Sequence, residues 1–160
     1  MRTLYLLRHA ESPMSFAQKD SERALSDYGL QQAQQIANHL KDIDLALCSS
    51  ATRTQKTLNT ALDSGALVKE TKMIDNLYNA SMETILDEIR SASANNLLVV
   101  AHNPGIHLTA HSLAKSDQSP AYEKLSVSYP PCSLTILKCD IEDWALLDKH
   151  QNELVDYITA

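Results

Sequence analysis

Thr3-Leu4-Tyr5-Leu6-Leu7-Arg8-His9-Ala10-Glu11-Ser12 decides how this chain folds. The run from Thr3 to Arg8 is too short for a helix and suits a strand buried on both faces. It stops abruptly at Arg8-His9. Leu97 to Ala101, the longest unbroken apolar run, ends the same way in His102, followed by Asn103-Pro104-Gly105. A third run, Leu45 to Cys48, ends in Ser49-Ser50, with Arg53 in the first turn of the helix expected next.

Helical spacing fills the intervals between these strands. Ser26 can cap a helix carrying Leu30, Ala33, Ile36, Ala37 and Leu40, and a second helix runs from about Thr52 through Leu58, Ala61 and Leu62 to Gly65. Leu67 to Lys72 reads as a weaker strand, and Ile85, Leu86 and Ile89 mark a helix after Ser81. Pro104 suits a first helical position, ahead of Ile106, Ala110, Leu113 and Ala114. Residues 115–131 read as a loop, and Ser133 to Lys138 with Trp144 to Leu147 as late strands, paired antiparallel at an edge. The alternation predicts a three-layer α/β/α sandwich with a mostly parallel sheet, one domain over residues 1–160.

Composition narrows the function. With 44% apolar and 21% charged residues among 160, the chain is that of a globular protein rather than a disordered one. Its three glycines lie far apart, which excludes the glycine-rich nucleotide cradles. No run approaches the ~18 apolar residues of a membrane span, and the apolar start is too short for a signal-peptide core, so no membrane role and a cytoplasmic location are expected. Cys48, Cys132 and Cys139 form no paired motif and read as reduced packing residues. A net charge of -6 argues against nucleic acid, while leaving room for a local positive pocket.

In open parallel sheets ligands sit beyond the carboxyl ends of the strands. Neighbouring strands would there gather Arg8, His9, Arg53 and His102, a costly cluster unless an anion compensates it, and arginine's planar fork suits phosphate. The helix starts at Thr52 and Pro104 would add backbone N–H groups. His9 is the candidate nucleophile, one ring nitrogen facing phosphorus and the other donating to a backbone carbonyl. A protonated His102, with Arg8 and Arg53, would stabilise the transferring oxygens, so no metal or other cofactor is needed. His107 and His111, four apart on a helix, have the spacing of a metal pair, but the sequence supplies no third ligand.

Arg8-His9-Ala10-Glu11-Ser12, Ser49-Ser50-Ala51-Thr52-Arg53-Thr54-Gln55-Lys56-Thr57 and Ala101-His102-Asn103-Pro104-Gly105, in this order, resemble the signatures of the histidine phosphatase superfamily, the phosphoglycerate mutase-like enzymes. Arg23-Ala24-Leu25-Ser26 and Leu77-Tyr78-Asn79-Ala80-Ser81 are most similar to the SixA-type phosphohistidine phosphatases. The resemblance implies a phosphoglycerate mutase-like fold, His9 as the phosphorylated residue, and Arg8, Arg53 and His102 on the phosphate. Arg23 and Asn103 are expected beside the substrate. It also implies a phosphohistidine-containing protein, a phosphotransfer domain or phosphocarrier, as partner, and a monomer is expected. Where larger relatives place a general acid, the segment from Leu77 to Ser81 carries no carboxylate, Asp75 and Glu83 being merely nearby. An imidazole leaving group needs less acid help than an alcohol, which favours phosphohistidine over esters. The alternatives are a phosphatase of small phosphate esters and a non-catalytic phosphohistidine-binding module.

Overall fold

The strand read from Thr3 onward is β1 (Arg2–Arg8), and it lies inside a six-stranded sheet in the computed structural model, which describes residues 1–160. The other strands are β2 (Ile43–Ser49), β3 (Val68–Ile74), β4 (Asn96–Ala101), β5 (Leu134–Cys139) and β6 (Glu153–Ile158). Their order is β3-β2-β4-β1-β5-β6, with the first four parallel, β5 antiparallel to β1 and β6 antiparallel to β5.

Alternation along the strands explains the layers. Leu4, Leu6, Leu97, Val99 and Ala101 pack on one face against Ile85, Leu86 and Ile89 of α3 (Met82–Arg90) and Ile106, Ala110 and Leu113 of α4 (Gly105–Leu113). Leu7, Ala46, Cys48, Leu98 and Val100 pack on the other against Ala33 and Ile36 of α1 (Asp27–Ile36) and Leu58 and Ala61 of α2 (Thr52–Asp63). The result is the expected three-layer sandwich. Both cores form because the central strands bury both faces, whereas the edge strand β3 carries Lys69, Glu70, Thr71 and Lys72 on exposed positions that discourage further pairing.

Two glycines let helices start close against neighbouring loop backbone. A Cβ at Gly29 would lie 2.2 Å from the Glu11 carbonyl oxygen, and one at Gly105 2.0 Å from that of Ala80. Only a residue without a Cβ lets α1 and α4 approach so closely.

Four expectations are corrected. Residues 115–131 are not all loop: Ser119 accepts from the Tyr122 N–H and starts α5 (Pro120–Val127). The capping serine with proline in the first turn is a helix signal, but Leu125 is the helix's sole fully buried residue, so no apolar stripe announced it. Trp144–Leu146 is a 3-10 turn, not a strand, holding Trp144 fully buried with its indole N–H on the Ala94 carbonyl, and β6 takes the place beside β5. The first helix ends at Ile36 and continues as a 3-10 turn, Ala37–His39, that carries Leu40 into the core. Pro104 stands one residue before α4 rather than inside it. All three cysteines are buried and free, and burial pushes each thiol up to about 12, as packing residues require. No helix is long and apolar enough to cross a membrane.

Candidate active site

Register builds the site. Arg8 pairs with Ala101 across β1 and β4, and Cys48 with Val100 across β2 and β4. The residues that follow, His9, His102 and Ser49, therefore emerge together at the carboxyl edge of three adjacent strands. The rings of His9 and His102 stand 5.3 Å apart, tilted by 56°. Both are buried, as is Arg53 in the first turn of α2.

The His9 Nδ1–H donates to the Ala10 carbonyl at 2.8 Å, since a carbonyl can only accept. That fixes the tautomer and leaves the lone pair on Nε2. Burial lowers the His9 pKa to about 4, helped by the charges of Arg53, Arg8 and Arg23 and opposed by the Ala10 hydrogen bond. At neutral pH the ring is thus unprotonated with a free lone pair, as a nucleophile requires.

His102 differs from the expected imidazolium. Burial first, then the Arg53 charge, lowers its pKa to about 3, so without an anion beside it the ring is neutral. Its Nε2 lies 2.7 Å from the Ser49 Oγ. That oxygen already accepts from the Ala51 N–H and has no other acceptor to serve, so its hydroxyl donates to Nε2. The proton of His102 then sits on Nδ1, a buried atom with no partner in the protein. A neutral His102 so held still offers a donor.

The arginines are aimed in a similar way. Arg8 donates from Nη1 to the Tyr129 carbonyl at 2.9 Å, and Arg53 from Nη1 to the Asp20 carbonyl at 2.8 Å and from Nη2 to the Asp20 carboxylate and the Asn79 Oδ1. The Nε of each is buried and unpartnered. Three donors without partners, on Arg8, Arg53 and His102, thus belong to the residues around His9, and buried donors are seldom left unmet unless a ligand meets them. The two helices that begin here, α2 after Ala51 and α4 after Pro104, carry no side-chain cap, while Ser26, Ser81 and Ser119 cap the other three.

Other expected residues take supporting positions. Arg23 stands at the mouth, with Nη1 on the Ser12 and Pro13 carbonyls and Nε on Asp20, so it braces a loop more than it offers a free fork. The Asn103 Nδ2 donates to the same Tyr129 carbonyl as Arg8, leaving Oδ1 unpartnered. Glu83 and Asp75 are exposed and bond to none of the site's cations, Glu83 lining a cleft beside the crevice with Asn79 and Pro104. His107 and His111 do not join the site: His107 donates from Nε2 to the Leu125 carbonyl, and the His111 Nε2 meets Ser126 and Tyr122, all on α5. No group of three potential ligand residues surrounds them.

Sequence reading missed Asp20, and within the segment from Ser49 to Thr57 it missed Ser49 as the partner of His102 and Thr57 as a brace, its Oγ1 accepting from the Ala10 N–H and donating to the Arg53 carbonyl. The bonds that tie Asp20 to the site run to Arg53 and Tyr78, 33 and 58 residues away, and its local pair with Arg23 is an ordinary i,i+3 spacing that marks no site.

Comparison with known proteins agrees with this geometry. The sequence profile of the histidine phosphatase superfamily (branch 1) matches residues 4–83. An uncharacterised protein of Mycobacterium tuberculosis is 30% identical over 142 residues, covering 82% of this chain and 86% of that protein. A chain named for the phosphohistidine phosphatase SixA, from Nakamurella multipartitia, superposes with a TM-score of 0.83 at 27% identity, over 99% of this chain and 95% of the other. Another so named, from Agrobacterium tumefaciens, gives 0.80 at 25% identity over 99% of each. The matched segment contains Arg8, His9 and Arg53, and the fold match extends through His102, so this chain belongs to the histidine phosphatase superfamily (branch 1), with the phosphoglycerate mutase-like fold of its SixA-type members.

Proposed function

We propose that this phosphatase hydrolyses phosphohistidine on a signalling or phosphocarrier protein, through a covalent intermediate on His9. The observation that carries the reading is the His9 Nε2 lone pair in a crevice whose other members keep three buried donors unpartnered, the Nε atoms of Arg8 and Arg53 and the His102 Nδ1. In the first step that lone pair forms a bond to phosphorus while the bond from phosphorus to the substrate imidazole breaks, its electron pair returning to the ring. A substrate ring protonated at its other nitrogen leaves as neutral imidazole. In the second step water bonds to phosphorus, the His9 Nε2–phosphorus bond breaks, and inorganic phosphate departs.

Arg8, Arg53 and His102 meet the charge on the transferring oxygens throughout, which is most of what phosphoryl transfer asks of a protein. A phosphoryl dianion beside His102 would also raise that ring's pKa toward protonation. Asp20, the one carboxylate bonded to the site's arginines, is held at about 2, chiefly by the Tyr78 hydroxyl, and so has no proton to give at neutral pH. That supports a leaving group needing little acid help, and the SixA-named relatives support the same substrate class. Small esters are the second reading, since Glu83 in the neighbouring cleft is placed to be tried as an acid.

The experiment is phosphate release from a phosphohistidine-bearing protein in EDTA, comparing wild type with His9→Ala. Release by the wild type alone, with an acid-labile phosphoryl label on His9, is the expected result. Release by both rejects His9 as the nucleophile, and binding without release points to a sequestering module.

A further inference from the structure

Asp20 opens a short 3-10 turn at the mouth of the crevice, and its side chain is 44% exposed, whereas that of Arg53 beneath it is 3% exposed. Both carboxylate oxygens are committed: Oδ1 accepts from the Arg23 Nε at 3.1 Å, and Oδ2 from the Arg53 Nη2 at 3.2 Å and from the Tyr78 hydroxyl. The Asp20 main-chain carbonyl takes the Arg53 Nη1 as well. A negative charge is thus fixed on the solvent side of the buried arginine.

In-line transfer puts the nucleophile and the leaving group on opposite sides of phosphorus. With His9 on the floor, the leaving group lies toward solvent, at the rim formed by Asp20, Arg23, Tyr78 and Asn79. The charges there are matched. Arg8, Arg23 and Arg53 stand against the two negative charges of a phosphoryl dianion and the one of Asp20, and the two arginines nearest the rim, Arg23 and Arg53, are already engaged by Asp20, so a further anion placed there would meet the carboxylate without a free cation beside it.

We propose that Asp20 is a specificity-determining residue, admitting phosphoryl substrates whose leaving group is neutral or cationic, such as an imidazolium, and rejecting those with a further negative charge beside the phosphoryl group. This rests on the phosphatase reading of the site. The repulsion of an anionic leaving group persists in the transition state and lowers its kcat/KM. Attraction to an imidazolium acts mainly on binding, because the ring's positive charge fades as the electron pair of the breaking bond returns to it. Discrimination by a misplaced like charge is a common source of specificity.

The test uses two small probes that share the phosphoryl group, N-phosphoimidazole and 2-phosphoglycolate, with the full chain as wild type, Asp20→Asn and Asp20→Glu. The kcat/KM ratio of phosphoimidazole to phosphoglycolate should fall about tenfold in Asp20→Asn, mostly through a lower KM for phosphoglycolate, the scale expected of unit charges several ångströms apart at a protein surface. Asp20→Glu, which keeps the charge, should hold the ratio within about threefold of wild type. If Asp20→Asn changes both probes by the same factor, Asp20 only holds Arg53 in place and the assignment is overturned. Should that variant turn over neither probe, calorimetry decides: its affinity for phosphoglycolate relative to inorganic phosphate must rise, and an unmoved ratio overturns the proposal. Wild type that hydrolyses neither probe defeats the phosphatase reading itself, whereas hydrolysis with an unmoved ratio defeats only the role of Asp20.

Discussion

Two pairs of histidines in this molecule look alike on paper and are opposites in space. His107 and His111 are four residues apart on α4, and the Nε2 atom of each is taken up by the main chain or side chains of α5. His9 and His102 are separated by most of the chain, yet strand register sets their rings 5.3 Å apart in a crevice where His102 keeps an unpartnered nitrogen. Helical spacing puts side chains on one face, but sheet register decides what that face meets. Chemistry follows unspent hydrogen-bonding capacity rather than sequence proximity.

The sharpest way to break this comparison is to truncate one member of each pair. His9→Ala should lower phosphohistidine turnover by about 10,000-fold or more, since on the proposed mechanism it removes the attacking atom, while His107→Ala should leave kcat within about twofold. Both are read from steady-state phosphate release by proteins whose circular dichroism matches wild type. A large loss in His107→Ala would mean that the α4 pair takes part in the chemistry.

Ser49→Ala should come next, with kcat down about tenfold, the usual scale for removing a group that orients an active ring. Without the hydroxyl, His102 loses the partner that keeps its proton on Nδ1, and the neutral ring samples the wrong tautomer. The nitrogen-15 shifts of His102 in wild type and variant would show the tautomers directly. Unchanged shifts would reject the assignment of the Ser49 hydroxyl as donor.

The buried pair should also leave a mark on stability. Folding lowers the His9 pKa to about 4 and that of His102 to about 3, against about 6.5 in an unfolded chain. Below pH 6.5 the unfolded state therefore takes up protons that the folded state refuses, so stability falls with falling pH, by about 1.4 kcal/mol per pH unit for each histidine. Urea unfolding between pH 6.5 and 5 should show this slope in wild type and lose it when both are replaced by glutamine. A flat wild-type profile would mean that the two rings are not buried as neutral groups in solution. Activity should persist as pH falls toward 5 and drop near pH 4, where His9 is protonated.

What was legible in the sequence divides along the same line. Leu97 to Ala101 and Thr3 to Arg8 could be recognised because both faces of each strand are buried, which demands unbroken apolar residues. Arg8, His9, Arg53 and His102 could be placed because each follows such a strand. Asp20 could not: it sits in a polar stretch, its one local partner, Arg23, makes an ordinary i,i+3 pair, and Arg53 and Tyr78 reach it only through tertiary folding. α5 escaped because a helix covering a surface with one fully buried residue has no stripe to read, and the true edge strand β6 because its exposed Glu153, Val155 and Asp156 alternate too loosely.

The smallest predicted effect tests whether the two pairs are independent. The His107 ring stacks on Tyr129 at 5.3 Å, and the carbonyl of Tyr129 receives both the Arg8 Nη1 and the Asn103 Nδ2. His107 therefore braces the strap on which Arg8 rests, without reaching the crevice. His107→Ala removes the ring and leaves the Leu125 carbonyl without its donor, which should lower stability by about 1–2 kcal/mol. The Tyr129 hydroxyl remains anchored on the Leu6 carbonyl at 2.7 Å, so the strap should shift only slightly. KM should then rise about twofold with kcat unchanged, because weaker holding of Arg8 costs ground and transition states alike. A KM increase beyond about tenfold would mean that α4 and its histidines set the position of Arg8. The pair that does no chemistry would then belong to the architecture of the pair that does.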